Sequence, residues 1–159
     1  MEIYLLRHGD AEETTLEVQD QDRRLTPRGA EQVRDVLTRA RLAGLAPSLI
    51  VCSPLRRAVE TAQIAADILR YGGPIVEAPA LAPNSTPERV WDEIQAHRDA
   101  GRLLLAGHEP LYSSVYAFLL NAPSLRVAVR KGSLGRIDID TFSRPHGVLR
   151  WLIPPAANE

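Results

Sequence analysis

Short apolar runs alternating with segments of helical period set the layout of this chain. Ile3-Tyr4-Leu5-Leu6, Ser48-Leu49-Ile50-Val51-Cys52 and Arg102-Leu103-Leu104-Leu105-Ala106 are continuous runs of strand length, the pattern of strands buried on both faces. Ile75-Val76 can add a short strand before the loop from Ala78 to Pro87. Between the runs, apolar residues recur at spacings of three and four. Ala30, Val33, Leu37 and Ala40 predict a helix with Thr26 as N-cap, Pro27 at its first position and Gly44 past its end. Leu55, Ala58, Ala62, Ala65 and Leu69 predict a second, started by Ser53-Pro54 and ended by Gly72-Gly73-Pro74. Val90, Trp91 and Ile94 mark a third behind Thr86-Pro87, and Leu111, Val115, Phe118 and Leu119 a fourth behind Pro110. Past Leu125, Ile137 and Ile139 alternate with Asp138 and Asp140, and Val148 to Ile153 is apolar, which predicts a closing pair of strands. Asp10 to Arg24 lacks any period, and it reads as an exposed polar loop. Strands alternating with helices predict an α/β fold with a mostly parallel central sheet and helices on both faces.

The length, 159 residues, suits one domain over the whole chain, and neither repeats nor a low-complexity linker divides it. A net charge of -1 argues against a broad nucleic-acid or membrane footprint, so any positive field must be local. Lys131 is the only lysine, and the other basic side chains are arginines. Cys52 is the only cysteine, which excludes an internal disulfide and any zinc cluster built on cysteines. No apolar stretch reaches the ~20 residues of a membrane helix. No basic leader precedes the first strand, so the expected compartment is the cytoplasm.

Three buried strands end in small-residue turns that carry cation-capable side chains. The first gives Arg7, His8 and Gly9, the second Arg56 and Arg57, and the third His108. Strand ends of such a sheet share one edge, so these groups can meet in one crevice. Guanidinium forks match phosphoryl oxygens, and a neutral imidazole is a nucleophile near neutral pH. A phosphoryl dianion is the ligand such a pocket suits.

Four motifs in order carry a family likeness: Leu6-Arg7-His8-Gly9, Arg24-Leu25-Thr26-Pro27-Arg28-Gly29, the run from Ser53 to Ala62, and Gly107-His108-Glu109-Pro110. Together they resemble the histidine phosphatase superfamily, with its three-layer phosphoglycerate-mutase-like fold, and within it the short SixA-type phosphohistidine phosphatases. The resemblance implies that His8 is transiently phosphorylated while Arg7, Arg57 and His108 hold the phosphoryl group, with Gly9 and Ser53 also lining it. It assigns the family arginine to Arg57 and leaves Arg56 toward solvent. It implies no cofactor, no metal and no cap domain, and a phosphorylated protein or peptide as the partner.

Two departures bear on substrate. Thr14 stands where many relatives have a phosphate-contacting asparagine. The carboxylate that protonates an ester leaving group in larger relatives has no clear counterpart; Glu77, Asp10, Glu12 and Glu109 are the candidates. A missing acid handicaps an alkoxide leaving group more than an imidazole, which favours phosphohistidine over a sugar or nucleotide phosphate. A phosphate-binding adaptor without turnover is the third reading, and the intact nucleophile argues against it. Four intervening residues rather than five separate Cys52 from Arg57, so a cysteine-phosphatase loop is not formed. Cys52, Trp91 and Trp151 are expected in the core, and His97 and His146 toward solvent. Asp138 and Asp140 are expected on a solvated sheet face rather than at a metal.

Overall fold

The computed structural model describes residues 1–156. Its strands are β1 (Glu2–Arg7), β2 (Leu49–Cys52), β3 (Ile75–Glu77), β4 (Arg102–Gly107), β5 (Leu134–Asp138) and β6 (Val148–Ile153). Its helices are α1 (Pro27–Leu42), α2 (Arg56–Ile68), α3 (Pro87–Ala96) and α4 (Leu111–Leu119). All six strands join one sheet in the order β3-β2-β4-β1-β5-β6. β3, β2, β4 and β1 run parallel, while β5 is antiparallel to both β1 and β6.

Period-two alternation within the buried strands sorts their side chains into two layers. Ile3, Leu5, Val51, Leu103, Leu105 and Ile137 face α3 and α4, which contribute Trp91, Ile94, Tyr112, Val115 and Tyr116. Tyr4, Leu6, Ile50, Cys52, Leu104 and Ala106 face α1 and α2, which contribute Val33, Val36, Leu37, Ala62 and Ala65. The apolar strand runs are continuous because both faces are covered. Helices on both faces of the sheet, as the pattern predicts, give a three-layer α/β architecture.

Local chemistry accounts for most helix boundaries. The Thr26 hydroxyl accepts from the Gly29 amide at 3.0 Å, Pro27 opens α1, and Gly44 follows it at φ +96°. The Thr86 hydroxyl caps α3 through the Arg89 amide at 3.3 Å. The start of α2 differs from expectation. The helix begins at Arg56, with Leu55 in the cap position and no side-chain cap. Ser53 instead accepts from the Leu55 amide at 3.2 Å, two residues on, which delays the helix and frees its hydroxyl proton for another partner.

Among the described residues, no helix is long and apolar enough to cross a membrane.

Candidate active site

β1 and β4 are neighbours in register, with Arg7 opposite Gly107, so the turns that follow them start side by side. Each turn carries a buried histidine, and the two rings lie 5.0 Å apart at 62°. β2 flanks β4 on its other side, and the chain leaving it brings in Ser53 and the first turn of α2. The sheet edge thus assembles Arg7, His8, Ser53, Arg57 and His108 from three separate strand ends.

His8 has its tautomer set by its neighbour. Nδ1 lies 2.7 Å from the Gly9 carbonyl oxygen, which can only accept, so Nδ1 carries the proton. The lone pair is therefore on Nε2, and the Arg57 Nε–H points at it from 3.3 Å. Burial pushes the His8 pKa down to about 3; the Gly9 bond opposes the shift, and Arg57, Arg7 and Arg23 add to it. The ring is neutral at neutral pH and keeps an unshared pair on Nε2.

His108 is tied by the opposite nitrogen. Its Nε2 lies 2.7 Å from the Ser53 hydroxyl, whose oxygen already accepts from Leu55. When the hydroxyl gives its proton to Nε2, the ring proton sits on Nδ1. Burial, followed by His8, Arg57 and Arg7, pushes this pKa down to about 2. His108 Nδ1 and Arg7 Nε are both buried without a protein partner. Such donors are rare in a folded protein, and a bound oxyanion would satisfy them.

The two adjacent arginines diverge. Arg57 is buried; its Nη1 donates to the Asp20 carbonyl at 2.8 Å, and Nη2 lies 3.5 Å from the Asp20 carboxylate. Arg56 is exposed and pairs with Glu60 one helical turn on, at 3.4 Å. Arg7 donates from Nη1 to the Val129 carbonyl at 2.7 Å. The same segment holds the His8 backbone, where the Gly132 amide donates to the His8 carbonyl at 3.0 Å. Gly9 is required by contact. A Cβ there would stand 2.2 Å from the Gly29 carbonyl oxygen, so the turn that carries His8 lies directly on the start of α1.

The other candidates fall outside this cluster or are otherwise engaged. Asp10 accepts from Thr26 at 2.9 Å and Lys131 at 3.1 Å; burial alone would raise its pKa, but these bonds outweigh it and the net shift is downward. Glu12 accepts from the Arg24 amide at 2.8 Å, Glu109 from the Ser113 amide at 2.5 Å, and Glu77 is exposed at the end of β3. Thr14 is exposed. Cys52 is fully buried against the α1–α2 layer, where desolvation pushes its thiol up to about 11. Trp91 stacks on Phe142, and Trp151 tilts against Tyr4. His97 pairs with Glu93 at 2.9 Å, and His146 is exposed. Asp138 pairs with Arg136 and Arg150, and Asp140 is exposed. Among the described residues, no three His, Cys, Asp or Glu side chains are grouped as a metal would need.

The sequence did not point to Asp20, Val129 or Gly132. Asp20 sits in a loop without periodicity, and the other two act through the backbone, which has no residue-type signature.

Comparison with known proteins places this arrangement. An uncharacterised protein of Picosynechococcus sp. is 35% identical over 112 residues, covering 69% of this chain and 67% of that protein. The structure of the protein histidine phosphatase SixA complexed with tungstate superposes with a TM-score of 0.84 at 24% identity, over 98% of this chain and 97% of that one. The α-ribazole phosphatase from Shigella flexneri gives 0.74 at 20% identity, over 96% of each chain. A mycobacterial glucosyl-3-phosphoglycerate phosphatase gives 0.70 at 19%, over 94% of this chain and 97% of that one. At these identities the three structures speak for a shared fold. Residues 3–82, which hold Arg7, His8 and Arg57, match the histidine phosphatase superfamily (branch 1), and the chain belongs to that family.

Proposed function

We propose that the protein is a phosphohistidine phosphatase acting on a phosphorylated protein or peptide through a phosphoenzyme on His8. One observation carries the reading: a buried, neutral imidazole has its Nδ1 tied to Gly9, and its Nε2 lone pair faces Arg57. In the first step that lone pair bonds to phosphorus as the substrate's P–N bond breaks. A substrate ring protonated on its other nitrogen then leaves as neutral imidazole, taking the bonding pair. The Gly9 carbonyl holds the proton of the His8 imidazolium that results. In the second step water attacks phosphorus, the P–N bond pair returns to Nε2, and orthophosphate departs with both water protons. Arg7, Arg57 and His108 Nδ1 balance charge on the equatorial oxygens throughout. These fixed donors make a metal unnecessary in this scheme, so chelators should leave the rate unchanged.

The carboxylates favour an imidazole leaving group over an alkoxide. Asp10 and Asp20 are both held below the usual carboxylate range, so neither carries a proton to donate at neutral pH. Loss of proton donation from these two positions slows ester cleavage more than phosphoramidate cleavage. The test is kcat/KM for a phosphohistidine peptide beside 3-phosphoglycerate and sugar phosphates. The peptide is expected to be preferred. A preferred sugar or nucleotide phosphate would instead make this a small-molecule phosphatase, as two of the proteins sharing its fold are named.

A further inference from the structure

The loop between the nucleophile's turn and α1 forms one wall of the site. Its 3₁₀ turn, Asp20–Asp22, lies against the start of α2, where the Asp20 carbonyl and carboxylate both engage Arg57. The Asp20 carboxylate also accepts from Arg23 at 3.0 Å, and these contacts, led by the Arg23 bond, lower its pKa. The Arg57 arm nearest that carboxylate, Nη2, belongs to the same edge of the guanidinium as Nε, which points at the His8 nucleophile. A fixed negative charge therefore stands one guanidinium away from the reacting atoms.

The rest of the loop carries the same net sign. Between Asp10 and Arg24 the chain carries Asp10, Glu12, Glu13, Glu17, Asp20 and Asp22 against only Arg23 and Arg24. Glu13, Glu17, Asp20 and Asp22 are exposed. Held deprotonated, Asp20 cannot act as an acid, yet it still acts on charge in whatever is attached to the phosphoryl group. Across a partly wet mouth, unit charges interact weakly but measurably.

We infer that Asp20 is a specificity-determining residue: with its acidic wall it disfavours phosphates whose leaving group is anionic and favours those whose leaving group is a neutral or cationic ring. The inference rests on the phosphatase reading of the site and refines its substrate class. A protonated phosphoimidazole approaches this wall with a positive ring. A phosphoglycerate approaches with a second carboxylate, and its alkoxide gains negative charge as the bond breaks. The wall opposes the second substrate and assists the first.

The experiment measures kcat/KM for a phosphohistidine peptide and for 3-phosphoglycerate in wild type, Asp20→Asn, Asp20→Glu and Asp22→Asn. In Asp20→Asn the peptide rate should fall and the ester rate rise, lowering the selectivity ratio by about fivefold, the scale of one partly screened charge. Asp20→Glu, which keeps the charge, should keep the ratio, and so should Asp22→Asn. If both rates fall together in Asp20→Asn, the carboxylate only positions Arg57, and the inference is overturned. If both rise together, it is a competing counter-ion, with the same consequence. A wild type that prefers the ester, with a ratio that still drops in Asp20→Asn, removes the phosphohistidine reading and leaves the charge selection standing.

Discussion

The turns after β1 and β4 invite comparison because they are alike in almost every respect. Each ends a buried parallel strand, the two strands are paired in register, and each delivers a histidine into the same pocket. Burial drives both imidazoles far below their ordinary pKa, to about 3 and about 2. They differ in which ring nitrogen the protein has tied. In the first turn Gly9 takes the proton of Nδ1 and leaves a lone pair on Nε2. In the second, Ser53 occupies Nε2 and leaves a proton on Nδ1. One ring presents an electron pair and the other a hydrogen-bond donor. In the proposed mechanism, residue type and burial do not separate nucleophile from oxyanion donor; a single hydrogen bond to each ring does.

The widest break in this comparison should come from His8→Ala, which removes the electron pair. Turnover should fall on the order of 10⁴-fold or more, and alkaline quenching should no longer trap base-stable, acid-labile phosphate. Label found on Cys52 or a serine in the wild type would contradict the assignment. Arg57→Ala should cost ~10²–10³ in kcat, the usual loss for a transition-state donor, whereas Arg56→Ala should cost less than about twofold. Equal losses at the two positions would mean that the buried guanidinium is not the one used.

Smaller effects sharpen the division between the rings. Ser53→Ala frees the His108 tautomer, so about a tenfold loss in kcat is expected, with the phosphoenzyme still formed. Ser53→Thr should recover most of it. Loss of the phosphoenzyme would show instead that Ser53 contacts the substrate directly.

The smallest effect concerns stability. Both rings are neutral when folded but titrate near their ordinary value of 6.5 when unfolded, so below that pH the unfolded chain binds more protons. Their contribution is fully present above pH 6.5 and is lost as pH falls toward about 3 and about 2. Urea midpoints measured between pH 7 and pH 5 should drop more steeply for the wild type than for the His8→Ala, His108→Ala double variant. Parallel slopes would mean that the rings are not held neutral.

Much of the fold was legible because buried parallel strands and amphipathic helices write strong periods. Ile3 to Leu6 and Leu103 to Ala106 alternate between two core layers as the apolar runs require, and Thr26 caps α1. Arg7, His8, His108 and the Arg56-Arg57 pair were legible as a set because strand ends in such a sheet converge, and the choice of Arg57 within the pair came from the family resemblance. The start of α2 was not, since Ser53-Pro54 is an ordinary helix opening and only the bond to His108 shows the hydroxyl to be engaged elsewhere. Asp20 was illegible for another reason. Its carbonyl holds Arg57 whatever its side chain, and a loop without periodicity offers no register from which to place either group.

The loop that carries Asp20 leaves and re-enters the fold through a narrow neck. Asp10 accepts from the Thr26 amide at 3.0 Å, Ala11 bridges Leu25, and the Glu12 amide donates to the Arg24 carbonyl at 2.8 Å. Behind the neck, the turn holding His8 lies backbone to backbone against Gly29. The excursion beyond Glu12 is therefore a closed appendage whose feet are pinned independently of its contents. Loop length is also entropically inexpensive to alter, about 0.6 kcal/mol per doubling. If Asp20 sets substrate preference as inferred, exchanging the segment between Glu12 and Arg24 while keeping a carbonyl against Arg57 should shift that preference and leave His8 in place.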